Sequence, residues 1–423
     1  MNKRIFSLGL VFSLFLLLMG PSACRSRLSE EELEAKARDI HEKILTVDTH
    51  CDTPMLMVRS DWDIGERHEP SERRAARIDL PRMKEGGLDA EFFAAFVGQG
   101  KRDEEGYSRA ASRADALLDA IHKMCSDYPD LVELALTPDD AYRIEGKGKR
   151  AAFIGMENGY PIGMNLSLLK KYYDRGVRYI TLCHSSDNDI CDSSTDRREP
   201  EDNGLSNFGT KVVAECNRLG IMVDVSHVSD KSFYDILACS QAPVIASHSS
   251  ARALCDHPRN LSDEMLKALA EKDGVVQVCF VSSFVKEEEP NPERDAAIAA
   301  LREKYGSLRS ITSEEERRKI QREYEAIFEK YPQDLATVED LVDHIDHMVA
   351  VAGDEHVGIG TDFDGGGGVE GCSDVSQMVR VTEELVRRGY TEDQIRKIWG
   401  GNIMRVFRKV EEKARELAVK SSS

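Results

Sequence analysis

The sequence predicts a (β/α)8 barrel, the TIM-barrel fold of the α/β class. Eight short apolar runs alternate with amphipathic helical stretches, and eight parallel strands are the number that closes a barrel. Several of these runs end in a side chain of a type that binds metal ions. Barrel enzymes place their active-site residues at the carboxyl ends of their strands, so this pattern also indicates a barrel. The alternative, an open doubly wound sheet, would gather its ligands near one switch point. The runs lie at 44–50, 90–97, 151–157, 177–184, 220–227, 242–248, 274–280 and 356–362.

Residues 1–23 are predicted to be a bacterial signal peptide outside the fold. Lys3 and Arg4 precede an apolar stretch over 5–19 that is short for a membrane span. Small residues then lead to Cys24, which resembles a lipoprotein processing site where the new N-terminal cysteine is acylated. We expect an exported protein of the cell envelope, facing the periplasm or exterior, that contacts the membrane only through this lipid. Plain secretion is the alternative.

The mature chain is expected to contain one large domain. Residues 24–38 are charged and predict a tether running into a helix, the barrel occupies 39–418, and 419–423 form a tail. A highly charged segment with a helical pattern, at about 285–335, separates the seventh and eighth strands. We interpret it as a helical insertion on the top or side of the barrel. It either covers the site, mediates contacts, or is a solvated hairpin without a part in the chemistry.

The charge of the chain excludes nucleic acid as a partner. Asp and Glu outnumber Lys and Arg by 76 to 57, which gives a net charge of −19, and a polyanion would be repelled. Of the ten cysteines, nine remain after Cys24. Because nine is odd, they cannot all pair with one another.

Five side chains at the ends of four runs predict a two-metal centre. His50 and Asp52 are two residues apart, so on a strand they share one face while Cys51 takes the other. A lone histidine is more often a core residue than a ligand. Buried ionisable groups cost several kcal/mol unless they are paired or bound to metal, however, so core packing would not select this set. The five are His50, Asp52, Glu157, His227 and His248.

Five ligands are too many for one catalytic zinc with an open position. They suit two zinc ions, the first held by His50 and Asp52 and the second by His227 and His248. Glu157 can give one carboxylate oxygen to each ion and bridge them. Ions in such pairs lie about 3.5–4 Å apart, and a water between them loses a proton near neutral pH. The predicted centre therefore supplies a metal-bridging hydroxide.

Spacing leaves the roles of three further side chains open. His184 ends the fourth run and is a sixth ligand, a support for a ligand, or a stabiliser of an oxyanion. Asp362 ends the eighth run and is either a ligand or a proton shuttle. Arg259, in a loop after the sixth run, forms either a surface ion pair or a two-pronged clamp for a carboxylate.

Together these segments resemble the membrane (renal) dipeptidase family of binuclear zinc peptidases. The resemblance covers residues from about 44 to 407. Besides the ends of the strands, it is carried by IDLPRMKEGGLDAEFFAAFV (78–97), ASHSSARAL (246–254), HPRNLSD (257–263) and GGNIMRVF (400–407).

The resemblance implies a function and a role for each residue. The family's ligands fall on the five residues above, with Glu157 as the bridge between two zinc ions. Its substrate histidine falls on His184, its carboxylate-binding arginine on Arg259 and its acid/base aspartate on Asp362. The chain would then be a zinc dipeptidase, able to cleave dipeptides with a C-terminal D-residue. Family members also pair, which implies a homodimer.

Two other functions compete with this expectation. A different binuclear amidohydrolase would act on N-acyl amino acids, cyclic amides or lactones. Such barrels commonly bridge their metals with a carbamylated lysine, whereas the bridging position here is Glu157. A lipoprotein that uses the barrel only for binding is the non-enzymatic alternative, and the intact set of ligands argues against it.

Overall fold

The structure, a computed structural model, describes residues 29–69, 76–200, 203–306 and 314–422. The predicted signal peptide and the acylation site at Cys24 lie outside these residues. Among the residues that are described, no helix combines the length and the apolar character needed to cross a membrane.

A ring of eight parallel strands forms the centre of the molecule. Its order is β1-β2-β4-β5-β6-β7-β8-β9, and a ninth strand, β3, pairs only with β4. The strands are β1 Val47–Cys51, β2 Ala90–Phe96, β3 Val132–Leu134, β4 Arg150–Glu157, β5 Val177–Thr181, β6 Met222–Asp224, β7 Ile245–Ala246, β8 Val275–Cys279 and β9 Val357–Gly360.

The ring closes between β9 and β1, just beyond their ends. The amide of Asp52 donates to the carbonyl of Phe363 at 2.8 Å, and the amide of Asp362 donates to the carbonyl of His50 at 3.0 Å. Each of the eight predicted runs overlaps one strand of the ring, so the predicted barrel is confirmed. The short strand β3 was not predicted.

Alternation along the strands divides the core into two layers. On β4, Phe153 belongs to a buried cluster that fills the barrel, whereas Ile154 belongs to the cluster between the strands and the outer helices. Phe407 of the C-terminal helix closes the floor of the barrel, with its ring centroid 6.0 Å from that of Phe153. The floor is therefore apolar, and the polar residues gather at the opposite end.

Helices surround the ring and connect its strands. They are α1 Glu30–His41, α2 Pro54–Met57, α3 Leu80–Glu85, α4 Glu104–Asp127, α5 Pro138–Glu145, α6 Ser167–Asp174, α7 Asn207–Leu219, α8 Asp230–Cys239, α9 Asp263–Glu271, α10 Ser282–Val285, α11 Pro292–Tyr305, α12 Glu314–Lys330, α13 Val338–Ala352, α14 Val379–Arg387, α15 Glu392–Arg396 and α16 Asn402–Ser422.

The predicted insertion is helical and lies where it was expected. Helices α11 and α12 stand between β8 and β9, the seventh and eighth strands of the ring, and share a small cluster built on Leu301 and Ile320. At the base, Arg294 pairs with Glu288 at 2.6 Å. The insertion thus has its own apolar contacts and joins the barrel through α10.

Two predicted boundaries are wrong. The tether was expected to reach residue 38, but α1 begins at Glu30, and its Leu33 and Ala37 are buried against the body. A tail was expected from residue 419, but α16 continues to Ser422. At α1, a charged sequence hides the apolar stripe of a surface helix.

Candidate metal centre

Glu157 stands between histidines from opposite sides of the barrel. Its Oε1 lies 2.9 Å from Nε2 of His227 and 3.4 Å from Nε2 of His248. Its Oε2 lies 3.6 Å from Nε2 of His50. One carboxylate oxygen therefore faces each side, which is the arrangement that a bridging ligand requires.

The two remaining carboxylates complete the cluster. Three groups of donor atoms each fall within 4.8 Å of one another: His50 with Asp52 and Glu157; His50 with His248 and Asp362; and Glu157 with His184 and His227. Asp362 approaches His50, with its Oδ1 3.9 Å from Nε2. The structure thus brings together all seven of these predicted side chains.

Several of these side chains lie beyond the ends of the strands rather than on them. His184 was expected to end its strand, but β5 stops at Thr181, so His184 lies in the following loop. His227 and Asp362 adopt left-handed backbone angles, with φ of 73° and 57°. Such angles are uncommon for residues other than glycine, and they often mark functional sites.

A bulge in β1 turns His50 toward the centre of the ring. Between Asp48 and Cys51, β1 advances three residues while β2 advances two. Bulges next to active sites redirect side chains in this way. Cys51 is buried in the outer cluster, on the other face from the donors, as the sequence predicted.

Hydroxyl groups contact the far nitrogens of two of the histidines. The hydroxyl of Tyr179 lies 2.7 Å from Nδ1 of His50, and the hydroxyl of Ser247 lies 2.8 Å from Nδ1 of His248. Tyr179 has room because Gly155 lacks a side chain: a Cβ there would lie 2.1 Å from the tyrosine ring. The sequence analysis missed Tyr179, although its inward position on β5 follows from strand alternation.

Two buried aspartates hold together the strands that carry the donors. Asp224 accepts hydrogen bonds from the hydroxyls of Thr181 at 2.5 Å and Ser247 at 2.6 Å, and so joins β5 to the start of the loop after β7. Asp48 accepts from the amide and hydroxyl of Thr361 at 2.8 and 2.5 Å. The sequence analysis did not single out either one, although an aspartate inside an apolar run is a usable signal.

Arg259 is buried beside the donors, not exposed in a surface pair. It is 4% exposed, and its Nη2 donates to the carbonyl of His248 at 3.1 Å. Its Nε is buried without a hydrogen-bond partner. Phe284, on α10, lies beside the guanidinium, with its ring centroid 5.5 Å from Cζ. The geometry leaves this guanidinium with donors for a further acceptor.

Burial disfavours the charged form of two carboxylates and two imidazoles of the cluster. It raises the pKa of Glu157 to about 8 and that of Asp362 to about 7. It also lowers the pKa of His227 and His248 well below the usual value. The imidazoles of His227 and His248 are therefore neutral, with lone pairs available, and the charge of Arg259 offsets only part of the effect of burial on the carboxylates.

The donor set fits divalent cations. Four of its buried atoms have no hydrogen-bond partner: Nε2 of His50, Oδ1 of Asp52, Oε2 of Glu157 and Nδ1 of His227. Unpaired buried polar groups are costly, and bound cations are one way of offsetting that cost. Neutral imidazoles and carboxylates suit zinc and similar borderline ions. The fold and the site together define a metal-dependent TIM-barrel enzyme.

Comparison with known proteins identifies the family. Residues 34–421 match the family described as membrane dipeptidase (peptidase family M19). Dipeptidase tcpJ of Claviceps purpurea is 33% identical over 367 residues, which cover 85% of this chain and 76% of that protein. Human dipeptidase 3 is 32% identical over 389 residues, covering 91% of this chain and 69% of that protein.

A solved structure agrees with these sequence matches. The probable dipeptidase PvdM from Pseudomonas aeruginosa is 31% identical, with a TM-score of 0.78, and the match covers 91% of this chain and 100% of that one. The chain belongs to the membrane dipeptidase family and is a metallo-dipeptidase, so the resemblance drawn from the sequence is confirmed.

The contact between Tyr179 and His50 yields a first prediction. Removing the hydroxyl in Tyr179→Phe should weaken metal affinity by about ten- to a hundred-fold, because groups behind a metal-bound histidine orient it. Competition with a chromophoric chelator measures this affinity. Tyr172→Phe is the matched control, since that buried hydroxyl lies 3.4 Å from the carbonyl of Pro161, outside the cluster. Unchanged affinity in Tyr179→Phe would contradict the assigned contact.

The raised pKa values give metal binding a pH dependence. In the metal-free fold, Glu157 and Asp362 hold protons below pH 7, and an incoming cation must displace these protons. Because their folded pKa values lie above the unfolded values of about 4, the metal-free protein loses stability as pH rises toward 8. We expect the gain in melting temperature on adding zinc to be larger at pH 8 than at pH 6.

Thermal denaturation at a fixed concentration of free metal measures this gain. Glu91→Gln is the control, because Glu91 is a buried carboxyl outside the donor groups. In that variant, the gain in melting temperature on adding zinc should still be larger at pH 8 than at pH 6. An equal gain at pH 6 and pH 8 in the parent protein would refute the linkage.

Proposed function

We propose that this enzyme is a zinc dipeptidase that hydrolyses the single peptide bond of dipeptides, including those with a C-terminal D-residue. The observation that carries the proposal is the placement of Glu157 between His50 on one side and His227 and His248 on the other. This placement supports two metal ions that share one carboxylate. A single catalytic ion with three protein ligands would leave two of the five residues unused.

Five residues would hold the metal ions. His50 and Asp52 would hold one ion, His227 and His248 the other, and Glu157 would bridge them. Two zinc ions, when bound, supply a hydroxide nucleophile near neutral pH and polarise the carbonyl of the substrate.

His184 would stabilise the negative charge that develops on the carbonyl oxygen. Its Nε2 lies 3.8 Å from Oε1 of Glu157, and its ring packs against Phe96 at 4.6 Å between centroids. Burial lowers the pKa of His184 to about 3, so the ring is neutral. The hydroxyl of Ser185 lies 2.8 Å from Nδ1, and if it donates to that nitrogen, the ring proton is on Nε2 and faces the site. Such a donor contributes about 3–4 kcal/mol to catalysis.

Asp362 would carry the proton from the nucleophile to the leaving amine. A group that both takes and gives a proton works best when its pKa is near the working pH. Burial raises the pKa of Asp362 to about 7, and its Oδ1 lies within reach of the donor set. The charge of Arg259 acts in the opposite direction and keeps the anion accessible.

Arg259 would bind the C-terminal carboxylate of the substrate. A guanidinium donates two parallel hydrogen bonds to a carboxylate, and this one is fixed by the carbonyl of His248. Because the cation sits immediately beside the donor set, one residue fits between the scissile bond and the carboxylate. This fixed distance limits the substrates to dipeptides. A D-residue at the C-terminal position would leave both the scissile bond at the metal centre and the carboxylate on Arg259. Only the direction of its side chain would change.

The location of the protein in the cell belongs to the same proposal. Export and acylation at Cys24 would anchor the barrel to an envelope membrane, with the site facing the periplasm or the exterior. Two copies would pair as a homodimer.

A substrate panel tests the proposed activity. Zinc-loaded protein should hydrolyse L-L and L-D dipeptides, and acetylation of the substrate's amino end or amidation of its carboxylate should abolish turnover. Faster hydrolysis of N-acyl amino acids, cyclic amides or lactones than of any dipeptide would indicate the rival amidohydrolase function. Failure on every L-D dipeptide would remove the D-residue from the proposal.

Asp362→Asn tests the proton transfer separately from metal binding. Asparagine keeps the size of the side chain but cannot accept the proton, so kcat should fall by about a hundred-fold or more while metal content is retained. Steady-state kinetics and elemental analysis of the same sample give both values. Near-normal turnover with full metal content would exclude Asp362 as the proton carrier.

A further inference from the structure

Two cavities adjoin the proposed metal centre on the side of β9. The inner cavity, of about 540 Å³, is lined by Arg77, Asp364, Gly365 and Gly366 among others. The outer cavity, of about 570 Å³, lies between the loop after β9 and the base of the helical insertion, where Ser282 forms part of its wall. Arg77 and Gly366 line both cavities, so the two meet at this arginine.

Gly365, which lines the inner cavity, also lies against the carboxylates of Asp52 and Asp362. A Cβ on Gly365 would lie 2.1 Å from Oδ1 of Asp362 and 2.3 Å from Oδ2 of Asp52. No larger side chain can stand there without displacing both carboxylates. A substrate group held at Asp362 is therefore within one residue's reach of the cavity.

Arg77 differs from the other cations on these walls. Arg82 pairs with Asp79 at 2.7 Å and with Asp374 at 3.1 Å. Within the described ranges, no carboxylate lies at ion-pair distance from the Arg77 guanidinium, which donates through Nη1 to the carbonyl of Ser373.

The acidic residues of the outer cavity leave Arg77 available. Asp334 pairs with Lys286 at 2.8 Å, and Glu288 pairs with Arg294 at 2.6 Å. Glu370 is exposed at the outer wall, beyond ion-pair distance from Arg77. The half-buried Arg77 thus lines both cavities without an ion-pair partner among the described residues.

We propose that this cleft receives the side chain of the substrate's N-terminal residue, and that Arg77 selects a side chain bearing a carboxylate. The inference rests on the proposed function. With the C-terminal carboxylate on Arg259, after β7, the amino end lies toward Asp362, after β9. The side chain of the N-terminal residue then faces the inner cavity. The favoured substrates are dipeptides that begin with glutamate.

Paired substrates test this selection. L-Glu-L-Ala and L-Gln-L-Ala have the same shape and differ in one charge. In the parent enzyme, kcat/KM should favour the glutamyl dipeptide by about ten-fold or more, the size expected for a hydrogen-bonded charge pair. Arg77→Met should bring this ratio close to one, and Arg77→Lys should retain part of it. Metal content and melting temperature verify that each variant is folded.

Arg380→Met is the matched control. Arg380 is exposed and donates to the carbonyl of Gly371 at 3.2 Å, but it lines neither cavity. This variant should have the same ratio of kcat/KM for the glutamyl and glutaminyl dipeptides as the parent enzyme. A parent ratio near one, or an unchanged ratio in Arg77→Met, overturns the assignment of Arg77 and leaves the dipeptidase function intact. Hydrolysis of neither dipeptide overturns the proposed function itself.

Discussion

The structure depends on the burial of carboxylates and imidazoles at one end of a closed ring of strands. Glu157, Asp52 and Asp362 are almost completely shielded from water, yet no cationic side chain pairs with them directly in the part of the chain that is described. Such burial costs several kcal/mol for each charge. Divalent cations offset this cost, and the proposed chemistry uses the same cations. The free energy that holds the ions and the reactivity of the centre therefore have one origin.

The surrounding barrel is organised to keep this arrangement in place. An apolar floor, closed by Phe407, confines the polar groups to the opposite end. Asp224 and Asp48 join their strands through side-chain hydrogen bonds to residues just beyond the ends of β7 and β9. The loops beyond them can then adopt the left-handed turns that direct His227 and Asp362 inward. The site is built on loops, but these loops are fixed by buried hydrogen bonds.

The ring of strands and most residues of the site could be predicted from the sequence, because apolar runs and the residue types that end them can be recognised within short segments. The eight runs identified the ring, and period two placed His50 and Asp52 on one face. The sequence could not show the bulge in β1, the early end of β5 before His184, or the pairing of Tyr179 with His50. These features depend on register between strands and on contacts across the barrel. The start of the charged helix α1 was placed too late because its buried stripe is narrow.

The most direct test of the account is the number of metal ions in active protein that has never been treated with a chelator. Elemental analysis should find two divalent ions per chain, and Glu157→Gln, which would weaken the proposed bridge, should reduce the number. One ion or none per chain in fully active protein would contradict the shared-carboxylate centre on which the proposed mechanism is built.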